Sequence, residues 1–340
     1  MPALAPTPFF TSDNGAFVPN RVAQGGWGPT LGGHVVGGLL ARSIESKRAD
    51  PDLVPARLTV DILRRVAAEP VEVESSVLRT GRRNQSIDAT MTQRGEVVAR
   101  ASTLFLRRSE QPAVRPWTTD IVMPPLPTEP AEFDDAAPIF IEPFGRDPSA
   151  GGNPWQHFGP RFAWIRHIHA LVDDEAPSPF VCAAMAVDVT ASLTGFSEAG
   201  LGFINADYTM TLCRLPDGPF IGLAALSHYS DAGIGTGSAS LFDVHGPIGT
   251  GVTTAAANPN FALAIVVDLR NHCALAGFSL RKRVVQKEAA QGRRDKRREF
   301  DSRRNGQDSH GVVPGREVSG RREARGDFEP RLQGVGRHQR

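Results

Sequence analysis

The sequence predicts an α+β fold built twice, each half a strand and a helix followed by a run of antiparallel strands. Three observations carry that expectation. Within the first 108 residues a strand, a glycine-rich loop and an apolar helix precede a run of strands. The same order returns after residue 160. Two anchor segments also recur at nearly one spacing: Arg65-Val-Ala-Ala-Glu-Pro70 answers Arg214-Leu-Pro-Asp-Gly-Pro219 at an offset of 149, and the turn after Gln93 answers that after Val244 at 151. At 340 residues the chain holds two domains of ordinary size. The expected division is 1–108, a connector over 109–160, a second unit over 161–259 and a tail over 260–340.

In the first unit a short strand is expected near Ala16–Val18, followed by the loop Gly25–Gly33 and a helix over His34–Ser46. Strand-like runs follow at Leu58–Leu63, Val71–Val77, Ser86–Thr92 and Val97–Leu106. The last three alternate apolar and polar residues, the period of half-buried strands. The segment 109–160 contains 11 of the 27 prolines, which cannot continue a helix or a central strand, so it is expected to lie over the surface. In the second unit a strand over Phe162–His169 leads to a helix over Phe180–Leu193. Strands near Phe203–Cys213, Phe220–Ser227, Gly235–Phe242 and Ile248–Thr254 complete it.

Composition narrows the function. The net charge of +1 hides a basic end: residues 281–340 hold about 18 Lys/Arg against about 9 Asp/Glu, leaving roughly −8 on the rest. A body this acidic has no reason to bind nucleic acid, and the tail has no Trp or Tyr and lacks the aromatic interleaving that single-strand binding uses. Its low apolar content predicts disorder; an interaction segment is the alternative. Cys182, Cys213 and Cys273 are odd in number and form no disulfide framework or CxxC pair, so a reducing cytoplasm is the expected compartment. The N-terminus has no signal-peptide pattern, and the apolar stretch Phe261–Leu280 is too interrupted by polar residues for a membrane span. GGWGPTLGG lacks the dinucleotide-binding spacing, and no GxSxG marks a nucleophile elbow.

Several runs resemble the acyl-CoA thioesterase II family. Leu31-Gly-Gly-His-Val-Val-Gly-Gly-Leu-Leu is similar to the entry into that family's first helix. Trp164-Ile-Arg166, an acidic turn and an apolar helix with Asp188 resemble the start of its second half, and Ile204-Asn-Ala-Asp-Tyr with Arg214 resembles the strand beyond. The resemblance spans about residues 10–258. It implies a double hotdog that hydrolyses fatty acyl-CoA to free acid and coenzyme A with no metal, organic cofactor or covalent intermediate. A homo-oligomer is expected by the same analogy.

The resemblance places a catalytic Asp on Asp188, where it would orient and deprotonate water. A carboxylate between Val187 and Val189 needs an explanation in any case, since burying it unpaired is costly. The plain alternative is a residue capping a helix end. The family's Thr or Ser falls on Asn205, whose amide can still hold a water or simply cap a strand edge. Its Gln falls on Thr253, which is shorter and is otherwise an ordinary strand residue. Gly32, Gly33 and His34 stand where the free N–H groups of a helix start could meet a thioester oxygen, or could serve packing alone. Gly37 and Gly38 fit close helix packing. His167 and His169 read as surface residues rather than ligands. A hydratase would carry an Asp-x4-His spacing that is missing, so the rival is a double hotdog that binds acyl-CoA without turnover.

Overall fold

The computed structural model describes residues 7–258 apart from 27, 115, 131 and 148–153. A hairpin of β1 (Phe10–Asp13) and β2 (Ala16–Pro19) turns through Asn14 and Gly15, both at positive φ, and leads to α1 (Gly33–Glu45). Four strands follow: β3 (Leu53–Ile62), β4 (Glu72–Thr80), β5 (Asn84–Gln93) and β6 (Glu96–Arg107). Next come β7 (Phe140–Phe144), β8 (Phe162–Arg166), α2 (Pro179–Ala186), α3 (Val189–Gly195) and a tiny hairpin of β9 (Phe196–Ser197) with β10 (Gly200–Leu201). The described chain closes with β11 (Phe203–Leu212), β12 (Phe220–Asp231), β13 (Ile234–Asp243) and β14 (Gly246–Ala257).

Ten strands form one antiparallel sheet in the order β4-β5-β6-β3-β11-β14-β13-β12-β8-β7. Helix α1 packs on β3–β6, α3 packs on β11–β14, and α1 lies against α2. This is the double hotdog. Alternation sets the inner face: in β5 the odd-numbered residues Gln85, Ile87, Ala89, Met91 and Gln93 are buried and their neighbours are not. From α1, Val35, Val36, Leu39 and Leu40 enter the same core, each stabilising the fold by roughly 1.5–3 kcal/mol on burial. The glycines of α1 admit close neighbours. A β-carbon at Gly37 would overlap the Tyr208 hydroxyl, and one at Gly38 would lie 2.8 Å from Met185 Cγ.

The duplication is visible in register. Strands β3 and β11, β5 and β13, and β6 and β14 have bounds offset by 150 residues in each case. The halves join where β3 pairs with β11, and there Thr59 faces its own counterpart Thr209, hydroxyl to hydroxyl at 3.0 Å. The local twofold passes between them. The two anchor loops are also braced alike. Gln93 accepts from Ala67 N at 3.0 Å and donates to Ala67 O at 3.1 Å. Asp243, its counterpart, accepts from Asp217 N at 2.9 Å and from the Arg214 guanidinium.

Four expectations need correction. The helix expected over Phe180–Leu193 breaks at Val187–Asp188, where Thr190 N bonds Val187 O three residues back. The proline-rich connector does not stay on the surface: it supplies β7, and Ala137, Ile139, Phe140, Ile141 and Trp155 are buried. Strand β3 starts at Leu53 and tolerates Pro55 because its second neighbour, β11, pairs only from Arg57 onward. His169 is 2% exposed, not a surface residue, with its ring nitrogens 2.8 Å from the carbonyls of Thr7 and Ala137. The expected tail over 260–340 lies outside the described residues. Among the described residues no helix is long and apolar enough to cross a membrane.

Candidate active site

The loop before α1 is fixed by backbone bonds. Gly25 N donates to Thr30 O at 2.8 Å, Leu31 N to Val66 O at 2.9 Å and Gly32 N to Ala23 O at 3.0 Å. These bonds deliver Gly33 and His34 to the first turn of the helix. Across from them, Ser178 caps α2 by accepting from Val181 N at 3.2 Å, with Pro179 at the first helical position. Two turns later the helix ladder breaks and presents Asp188.

The carboxylate of Asp188 rests against the start of α1. The backbone N–H of His34 donates to it. Asn205 Nδ2 donates to its Oδ1 at 2.8 Å. Gly33 stands so close that an added β-carbon would overlap Oδ1 and lie 2.9 Å from Cγ. Burial pushes the Asp188 pKa up to about 6, while the bonds from Asn205 and His34 hold it from going higher. A base poised near neutrality results. The His34 ring is neutral: burial, then the fields of His167 and His169, lower its pKa to about 3. No protein group among the described residues bonds its Nε2.

Asn205 owes its aim to an irregularity in β11. The pairing of β11 with β14 shifts between Asn205 and Asp207, a bulge that re-aims neighbouring side chains. Thr253 holds that bulge: its hydroxyl donates to Asp207 O at 2.8 Å. The side chain of Asp207 in turn accepts from Thr254 N and Oγ1, both at 2.6 Å.

A cavity of about 180 Å³ opens on Asp188. Gly32, Gly33, His34, Asp188 and Asn205 line it together, so five of the six residues singled out in the sequence converge. Thr253 does not line it; its hydroxyl is spent on the strand backbone. Gln24, Thr30 and Arg65 add polar groups from the first unit, and Ser192 adds one from α3. Much of the apolar wall is connector: Ile139, Ile141 and Trp155, with Leu201 from β10. Sequence reasoning missed these wall residues. Their signal was the run Ile139-Phe-Ile141, a β-forming apolar cluster inside a proline-rich stretch. Among the described residues no three His, Cys, Asp or Glu side chains gather as a metal site.

Residues 23–106 match the family model described as the acyl-CoA thioesterase N-terminal domain. No curated protein matches the chain by sequence. Among solved structures, the chain is similar to a tesB protein of Mycobacterium avium subs paratuberculosis at 16% identity and a TM-score of 0.54, covering 72% of this chain and 93% of that one. It is likewise similar to a conserved protein with hot dog fold from Alicyclobacillus acidocaldarius at 17% identity and a TM-score of 0.50, covering 73% and 95%. At this identity the structural likeness speaks for the fold.

Proposed function

We propose, from the premise that the sequence match and the fold agree on an acyl-CoA thioesterase II-like protein, that this chain hydrolyses an acyl-CoA thioester at the cavity beside Asp188. The observation that carries the reading is Asp188 itself. It is a carboxylate with its pKa raised to about 6, held by Asn205 and the His34 N–H, and it faces a cavity with room for an acyl group. Asp188 takes a proton from water as the water oxygen attacks the carbonyl carbon. When the C–S bond breaks, the same proton passes to the leaving thiolate, giving free acid and coenzyme A. Little covalent machinery is needed, because a thioester carbonyl is already reactive.

Asn205 fixes the carboxylate and, through its amide, the water. The first-turn N–H at Gly33, which has no intrahelical acceptor, is the group offered to the developing oxyanion. The His34 N–H is already committed to Asp188, so His34 serves by that bond and by its neutral ring. Thr253 enters as a positioning residue, through the bulge it pins at Asp207. The test is coenzyme A thiol release from acyl-CoA esters, with loss of release in Asp188→Asn as the supporting result.

One observation favours a second reading, binding without turnover. With Thr253 turned to the backbone, Asp188 and Asn205 are the two that remain of the three side chains the family resemblance assigns to the water. Saturable acyl-CoA binding with no thiol release would establish that reading instead.

A further inference from the structure

The cavity beside Asp188 is small for the substrate of a fatty acyl-CoA hydrolase. Whole-ligand pockets run to roughly 300–1,000 Å³, whereas an apolar cavity of about 150 Å³ takes up one benzene molecule. At about 180 Å³ this cavity has room for an acyl group a little larger than a benzene ring and none for the nucleotide. Its wall is built from rigid parts. Trp155 is 4% exposed, donates its Nε1 to Phe162 O at 3.2 Å and packs edge-on against Phe196 at 5.8 Å between centroids. Ile139, just before β7, and Ile141, within it, are buried, and β7 is hydrogen-bonded to β8. Leu201, 5% exposed, closes the wall from the β10 hairpin.

Resting on the hydrolase reading above, we infer that the inter-repeat connector is the acyl selector of this protein. Ile139, Ile141 and Trp155, with Leu201, form a wall of fixed capacity that accepts acyl groups of about six to eight carbons or one aromatic ring and rejects long fatty chains. The selection comes from packed, hydrogen-bonded residues, so it does not yield to a longer chain without displacing them. Leu201 is the most replaceable part, because the two-residue strand that carries it lies outside the ten-stranded sheet.

The test measures kcat/KM for thiol release with acetyl-, hexanoyl-, octanoyl-, phenylacetyl-, dodecanoyl- and palmitoyl-CoA, using the full chain and its Leu201→Ala and Trp155→Leu variants. The expected result is a preference of at least about tenfold for the hexanoyl, octanoyl and phenylacetyl esters over palmitoyl, as pocket discrimination of this kind delivers. Leu201→Ala and Trp155→Leu should each narrow that gap, and a gap unchanged in Trp155→Leu would overturn the connector's part in the selection. Palmitoyl-CoA turned over as well as hexanoyl-CoA by the unaltered chain overturns the selector and leaves the hydrolase reading standing. If no ester releases thiol, the hydrolase reading falls, and the selector is judged on Kd for the same esters. Tighter binding of hexanoyl than of palmitoyl supports it, and the reverse order overturns it.

Discussion

Gly33 leaves room for Asp188: the space a β-carbon would take at the first residue of α1 is occupied by the carboxylate, with Cγ only 2.9 Å away. Helix propensity alone would favour alanine there by about 0.5–1 kcal/mol. The structure therefore sets two effects against each other. Gly33→Ala is expected to stay folded, with a melting temperature near that of the parent, while kcat/KM falls by about 100-fold because the carboxylate is displaced by around 1 Å. Thermal unfolding measured beside thiol release separates the two; unchanged turnover would contradict the placement of Asp188 against α1.

Asn205 acts on the basicity of Asp188. Its amide bond at 2.8 Å favours the charged carboxylate. Bonds of this charge-assisted kind are worth about 1.5–3 kcal/mol, so Asn205→Leu should move the acid limb of the kcat/KM profile upward by about one to two pH units. A pH–rate profile with its midpoint left near 6 would remove Asn205 from the site.

Stability and activity should trade at Asp188. Its folded pKa, about 6, exceeds the ordinary 3.8. A raised value favours the folded state fully below pH 3.8, and that contribution is lost as pH rises through 6. Above pH 6 the ionised group costs at most about 3 kcal/mol, less whatever the cavity's solvent screens. Asp188→Asn should thus melt several degrees above the parent at pH 8 and together with it at pH 4. Melting curves that stay parallel across that range would show an unstrained carboxylate.

Outside the cavity lining, Arg214 and Asp243 provide a structural control. The Asp243 side chain is fully buried, while Arg214 keeps 35% of its exposure. Burial alone would raise the carboxyl, but Arg214 and the N–H groups of Asp217 and His245 hold it down at about 2. The pair's contribution is present above pH 3.8 and fades as pH falls toward 2. Arg214→Met should cost about 3 kcal/mol at neutral pH by leaving a buried charge unpaired, with kcat/KM for the remaining folded protein unchanged. Urea unfolding at pH 7 checks the first part and thiol release the second.

What was legible in the sequence follows from local chemistry. Alternation in Ser86–Thr92 and Val97–Leu106 sits within β5 and β6, because one face of each strand is apolar. The recurrence of Arg65 and Arg214 reflects loops braced by Gln93 and Asp243, so the repeat had a structural cause. Asp188 stood out because its neighbours are apolar. What escaped notice depends on distant partners. The break at Val187–Asp188 has no proline or glycine to announce it. The buried wall at Ile139 and Ile141 was hidden by the prolines around it, and Trp155 gains its role only when the chain returns to Phe162. Thr253 has the composition of a site residue, yet a bulge three strands earlier, in β11, takes its hydroxyl.

The central claim is that Asp188 activates water against a thioester, and single-turnover thiol release tests it most directly. Hexanoyl-CoA would be mixed with excess protein, unaltered or Asp188→Asn, at pH 7.5, and free coenzyme A followed with a thiol reagent. The expected result is release by the unaltered chain and a loss of at least about 100-fold in the variant, at the lower end of what a positioned general base contributes. Equal release by the two proteins would contradict the claim and move the chemistry away from Asp188.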